Sequence, residues 1–190
     1  QWVDVIVDSA GQKGTGRWTG IEALNRGVNT SIIAAACNAR LMSNLPFRRV
    51  AFPPMQPVRS IVFKNPPTAE QERNDEAEQV STRQGRIPTG DNFIADVRRS
   101  LHIGKIAAYA QGFALYRAAS EHFGRHLDLA EIASIFRAGC IIQARLLDRI
   151  VDAYKKNPEL DNLMLDDFFM SKIVDGLASL RRTVASGIEQ

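Results

Sequence analysis

Apolar residues recur at helical spacing along most of the chain, and this pattern predicts a mainly helical fold. The clearest run starts at Asp91, a candidate N-cap, and continues to Phe123 before Gly124 ends it. At 1.5 Å per residue, a helix of about 30 residues would be roughly 45 Å long. We therefore expect one multi-helix domain in which this long central helix is the spine.

Shorter helices are predicted on both sides of the long helix from caps, glycine stops and apolar stripes. They cover residues 19–26, 30–43, 128–137, 141–156 and 165–186. The helix that starts at Asp128 has Glu131 three residues later, which is the spacing of a capping box. Arg40 falls in the last turn of the second predicted helix.

Two segments depart from the helical pattern. Residues 2–8 (WVDVIVD) alternate apolar and polar positions with β-branched side chains, so they predict one short N-terminal strand. Residues 46–88 contain seven of the eight prolines and a polar run with almost nothing to bury. They predict a long excursion or disordered loop at about 46–90 within the domain. Strands and helices do not alternate as a dinucleotide-binding sheet requires.

The composition fits one globular domain and excludes several classes of protein. Of the 190 residues, 45 % are hydrophobic and 24 % are charged, which is enough for an ordinary core. No apolar run approaches the roughly 20 residues that span a bilayer, and the first residues lack the order of a signal peptide, so we expect a soluble protein with no membrane partner. The net charge of +3, with both signs interspersed, argues against nucleic acid as a partner. Cys37 and Cys140 lie singly in apolar patterns, which favours buried thiols in a reducing compartment such as the cytoplasm.

A glycine-rich loop carries the first candidate site. Residues 11–16 (GQKGTG) follow a predicted strand and precede a helix, as a Walker A loop does. Arg17 and Trp18, however, stand where a P-loop needs Lys and then Ser or Thr. Lys13 and Thr15 could instead bind a phosphate group with an ammonium, a hydroxyl and backbone N–H groups. The alternative is that Lys13 is a solvated surface lysine.

Arg40 and the histidines give the remaining candidates. Arg40 has small or apolar neighbours, so its guanidinium must find an anion or reach solvent. A phosphate would satisfy it, and so would the negative end of the helix dipole. His122 and His126 have the spacing of metal ligands, but Gly124 between them ends the helix and no Glu or Cys completes a set. We therefore expect no metal site.

Several ordered blocks of the chain resemble 6-phosphogluconate dehydrogenases. Residues 8–19 (DSAGQKGTGRWT) resemble the signature loop of that family, and the likeness continues through Asn38-Ala39-Arg40. Further similar blocks are 105–115 (KIAAYAQGFAL), 137–142 (RAGCII), 157–169 (NPELDNLMLDDFF) and 181–182 (RR). The resemblance implies the family's all-helical C-terminal domain.

The resemblance also implies a substrate site. In that family the lysine and threonine of the KGTG loop, here Lys13 and Thr15, hold the substrate phosphate together with an arginine that matches Arg40. The chain would thus bind the phosphate of 6-phospho-D-gluconate and form homodimer contacts.

The implied reaction belongs to the full-length enzyme. That enzyme oxidises 6-phospho-D-gluconate with NADP, releases carbon dioxide and yields ribulose 5-phosphate, without a metal. The family's NADP-binding domain and its catalytic lysine and glutamate would precede Gln1, so no catalytic residue is expected within this chain and the chain alone should be inactive. The alternative is a non-catalytic helical interaction module that keeps the fold.

Overall fold

The computed structural model describes residues 7, 9–45 and 91–188 of the chain. Its α-helices are α1 (Thr15–Asn25), α2 (Ser31–Ser43), α3 (Asp91–His122), α4 (Leu129–Ile135), α5 (Leu146–Lys156) and α6 (Asp167–Ile188), with a 3₁₀ turn at Leu163–Leu165. No strand occurs among the described residues, and the predicted mainly helical fold with a long helix from Asp91 is confirmed. The strand predicted at 2–8 lies outside the described residues except for Val7, which is in neither helix nor strand. The excursion predicted at 46–90 lies outside them as well.

The chain divides into two compact units. The first comprises residues 1–45 and 101–175, and the second comprises residues 46–100 and 176–190. Helices α3 and α6 each contribute residues to both units. No helix in the described part is long and apolar enough to cross a membrane.

The first unit has an apolar core formed mainly by α3, α4 and α5. Its fully buried large side chains are Ile106, Phe113, Leu147, Ile150, Leu163 and Phe169. The rings of Phe113 and Tyr154 stack with their centroids 5.4 Å apart. Burial raises the pKa of Tyr154 to about 12, so its hydroxyl stays neutral at physiological pH. This core includes residues of α3, the helix to which α2 is also hydrogen-bonded.

Helices α1 and α2 approach each other closely at Gly16. A Cβ atom at this position would lie only 2.3 Å from the Sγ atom of Cys37, so a side chain here would require the thiol to rotate or the helices to separate. Gly27 between the helices has a φ of 65°, which suits glycine at a helix end. We call α1 and α2 together the N-terminal hairpin.

The N-terminal hairpin is attached to α3 by two side chains. Gln111 accepts a hydrogen bond from the backbone N–H of Ile32 at 3.1 Å and donates one to the Ser31 hydroxyl at 3.1 Å. The guanidinium of Arg26 lies 4.6 Å from the ring centroid of Phe123. Within the first unit, these contacts hold the hairpin, and with it the glycine-rich loop, against α3 and the residue that follows it.

The second unit contains an ion pair between a buried carboxylate, Asp96, and an exposed guanidinium, Arg182. Arg182 binds Asp96 in a bidentate manner, with Nε–Oδ2 and Nη2–Oδ1 distances of 2.7 Å. The hydrogen bonds from Arg182 and then Ser179 lower the pKa of Asp96 to about 2. The Ser100 hydroxyl also donates to Thr183 at 2.8 Å. The pair therefore links the first turns of α3 to the end of α6.

Some predicted helix boundaries and environments are wrong. Helix α1 begins at Thr15 rather than at residue 19, because Gly14, with a φ of 101°, turns the chain directly into the helix. Helix α5 begins at Leu146 rather than at residue 141, and Ile141 at that position is exposed. Both cysteines are free thiols but are only partly buried. The cap predicted at Asp128 is confirmed, because its carboxylate accepts from two N–H groups in the first turn of α4.

Candidate functional site

The glycine-rich loop lies against the C-terminal turn of α2. Arg40 Nε donates a hydrogen bond to the carbonyl of Gly11 at 2.8 Å, across 29 positions of sequence. This bond uses one of the five guanidinium N–H groups. The structure therefore brings Arg40 to the loop that carries Lys13, and both side chains are exposed.

Thr15, the third residue predicted for this site, is the first residue of α1. Its helix starts from Gly14, which has no side chain to cap the first N–H groups, and the first turn contains no acidic residue. Uncapped N–H groups and the positive end of the helix dipole attract anions. Trp18 packs over this point, since a Cβ at Gly14 would lie 3.3 Å from its indole ring.

A concavity of about 260 Å³ lies beside the loop. It is lined by Gln12, Lys13, Gly14 and Arg17. Two of these four residues have cationic side chains, so the concavity suits a small anion. Arg40 reaches the loop through its contact with the backbone rather than by lining this concavity.

Gln12 and Arg17 were not predicted from the sequence to line this site. The sequence pattern marks Arg17 only as a departure from the Walker A loop. Arg17 lies in the first turn of α1, so its side chain is near the loop from which the helix starts. This position could have indicated that Arg17 belongs to the site.

A larger groove of about 720 Å³ lies elsewhere in the first unit, beside the end of α3 and the end of α5. Its charged residues have both signs, and Arg117 is engaged by the carbonyl of Leu160 at 2.7 Å and by the carboxylate of Glu159 at 3.6 Å. His126 lines this groove. Within the described ranges no three His, Cys, Asp or Glu side chains form a group that could hold a metal.

The family model of the 6-phosphogluconate dehydrogenase C-terminal domain matches residues 1–190, the whole chain. The chain belongs to this family. It is 41 % identical over 184 residues to the decarboxylating 6-phosphogluconate dehydrogenase of Rattus norvegicus, covering 97 % of this chain and 34 % of the rat protein. It is 42 % identical over 187 residues to that of Escherichia coli (strain K12), covering 98 % of this chain and 35 % of that protein.

A solved structure of a family member also matches this 6-phosphogluconate dehydrogenase domain. The Plasmodium falciparum 6-phosphogluconate dehydrogenase superposes with a TM-score of 0.71 at 35 % identity, over 98 % of this chain and 36 % of that chain. It is described in its apo form, in complex with its cofactor NADP+ and in complex with its substrate 6-phosphogluconate. The chain thus spans about a third of the length of these relatives.

The comparisons confirm the family and the all-helical domain expected from the sequence. They identify the relatives as decarboxylating dehydrogenases, of which this domain is one part. The roles of Lys13, Thr15 and Arg40 stay predictions.

Proposed function

We propose that this chain is the substrate-binding part of a cytoplasmic oxidoreductase that converts 6-phospho-D-gluconate to ribulose 5-phosphate and carbon dioxide with NADP, as in the pentose phosphate pathway. The observation that carries the proposal is the hydrogen bond from Arg40 to the loop of Lys13, in a chain that belongs to this family along its whole length. That bond places an arginine and a lysine from separate segments at one loop.

The substrate group held at this loop is the phosphate. A dianionic phosphate gains charge-assisted hydrogen bonds from the ammonium of Lys13 and from the Nη atoms of Arg40. The hydroxyl of Thr15 and the N–H groups of the first turn of α1 add neutral donors at the positive end of a helix dipole. Binding energy gained at the phosphate end then positions the sugar carbons for a reaction elsewhere on the substrate.

NADP and the catalytic groups are assigned to another part of the enzyme. The 190 residues contain no Gly-x-Gly-x-x-Gly fingerprint, and the described residues contain no strand from which a dinucleotide-binding sheet could be built. We therefore infer that NADP is bound mainly by another part of the full-length enzyme, and we expect this chain to be inactive alone.

We also propose that this chain forms homodimer contacts. Helix α6 exposes apolar side chains that a solvated helix would not favour, among them Val174 at 64 % and Val184 at 52 %. Exposed apolar side chains in such number favour an interface with another protein surface, and most homo-oligomers are twofold dimers.

Isothermal titration calorimetry of the chain with 6-phosphogluconate tests the phosphate site. Lys13→Ala should weaken binding by about 1.5 to 3 kcal/mol, roughly 10- to 150-fold, because one charge-assisted hydrogen bond is lost. Gluconate, which has no phosphate, should bind the wild type and the variant alike. Lys155→Ala is the matched control, because this lysine is exposed and lines the separate larger groove.

Equal binding of 6-phosphogluconate by the wild type and Lys13→Ala would contradict the phosphate site. A chain that binds neither ligand but associates with a protein partner would favour the non-catalytic interaction module instead.

A further inference from the structure

Side chains at the end of α2 hold the backbone of the glycine-rich loop. Ser43 Oγ accepts a hydrogen bond from the N–H of Ala10 at 2.9 Å, and Asn44 Nδ2 donates to the carbonyl of Ala10 at 3.0 Å. The hydroxyl of Ser9 donates to Asn44 Oδ1. Both polar backbone groups of Ala10 are therefore bound by two consecutive residues of another segment.

The same two side chains bind the backbone of Arg40. The hydroxyl of Ser43 donates to the Arg40 carbonyl at 2.7 Å, and Asn44 Nδ2 donates to it at 3.0 Å. That carbonyl is open because the helix tightens at its end, where the N–H of Asn44 bonds to Leu41 instead. Ser43 and Asn44 thus connect the residue that carries the guanidinium with the loop that carries Lys13.

We propose that Ser43 and Asn44 are positioning residues that set the phosphate loop before the substrate arrives. We call them the loop clasp. This inference rests on the proposed function, and neither residue is assigned a contact with the substrate. Without the clasp, the glycine-rich loop would have to be ordered at the moment of binding, and that loss of conformational freedom would reduce affinity.

The clasp predicts a specific thermodynamic change. The double variant Ser43→Ala/Asn44→Ala should bind 6-phosphogluconate roughly 5- to 30-fold more weakly than the wild type, the factor for one or two net hydrogen bonds. Calorimetry should place the loss in a less favourable binding entropy. Ser43→Thr keeps the hydroxyl and should bind close to wild type.

A matched control separates the clasp from the general loss of a serine at a helix end. Ser134 also lies in the last turn of its helix and donates to the carbonyl three residues earlier, Glu131, at 2.7 Å. Ser134→Ala should therefore leave binding unchanged. Circular dichroism of each variant checks that it is folded, and the single variants Ser43→Ala and Asn44→Ala serve if the double variant is not.

Two results would overturn the inference in distinguishable ways. If Lys13→Ala loses binding while the clasp variants bind like wild type, the phosphate site stands and the clasp is wrong. If the wild type and Lys13→Ala bind alike, the proposed function fails and the clasp fails with it.

Discussion

A side chain at Gly16 should destabilise the protein, because α1 and α2 meet there. An added Cβ would lie 2.3 Å from Cys37 Sγ and 4.0 Å from Cys37 Cβ. The helices would have to separate by roughly 1 Å, or the thiol would have to rotate away, and overpacking of this kind costs about 1 to 3 kcal/mol. Alanine in a helix recovers up to about 1 kcal/mol relative to glycine. We therefore expect Gly16→Ala to lower the free energy of unfolding by up to about 2 kcal/mol, measured by urea titration with far-UV circular dichroism.

A double-mutant cycle isolates the contact that causes this loss. Cys37→Ala removes the sulfur atom, so the added methyl group of Gly16→Ala then meets the Cβ at an ordinary 4.0 Å. The double variant should recover most of the loss, with a favourable coupling of about 1 to 2 kcal/mol. Gly20 in the same helix is the matched control, because nothing lies within 4 Å of a Cβ added there.

Two outcomes of these measurements would contradict a close contact between Gly16 and the thiol of Cys37. Gly20→Ala should stabilise the protein by about 0.5 to 1 kcal/mol, through helix propensity alone. If Gly16→Ala is stabilising as well, the helices do not approach as closely as the structure indicates. If the double variant is no more stable than Gly16→Ala alone, the clash is not with the thiol.

Two further predictions concern the ion pair and the dimer. Because the pKa of Asp96 is lowered to about 2 in the folded protein, its pair with Arg182 stabilises above the usual carboxyl pKa of 3.8 and loses this effect as the pH falls towards 2. The stability difference between wild type and Asp96→Asn in urea unfolding should therefore close over that range, and a difference that persists at the acid end would contradict it. On α6, Val174→Asp should convert a dimer to a monomer in size-exclusion chromatography with light scattering, whereas a wild type that is already monomeric at high concentration would rule out the proposed dimer.

The long helix and its end could be predicted from the sequence because strong local signals coincide there. Helix α3 starts at Asp91, and its apolar stripe follows. Gly124, just beyond the end of the helix, adopts a φ of 59°, which is typical of a glycine that ends a helix. The cap at Asp128 could be predicted in the same way, because aspartate is a preferred residue just before a helix. Each of these signals depends only on neighbours in the sequence.

The wrong boundaries have local causes that a pattern cannot show. The residues that start α1, from Thr15, carry no apolar stripe, and its cap is a glycine rather than a side chain that accepts a hydrogen bond. Ile141 extended the apolar pattern of α5 by one turn, yet it faces solvent. Burial depends on what packs against a residue, and periodicity alone does not contain that information.

The candidate site could be predicted only in part. Residue type and family resemblance predict that Lys13, Thr15 and Arg40 form the phosphate site. The structure brings Arg40 to the loop of Lys13. Ser43 and Asn44 could not be found in this way. Short polar residues at the end of a helix are a common stop signal, and only the fold shows that they bind the backbone of Ala10 and the hydroxyl of Ser9 through tertiary contacts.

The N-terminal hairpin has few buried side chains, and this affects how easily it opens. Helix α2 has no buried side chain and α1 buries only Ala23, so the hairpin is held mainly by hydrogen bonds and by its contacts with Gln111 and Phe123. A segment attached in this way opens at a lower free energy than the core, and a ligand that binds only the closed form shifts that local equilibrium by mass action. On the proposed function, binding of a sugar phosphate at the glycine-rich loop would therefore lower how often this segment opens and is presented to proteases.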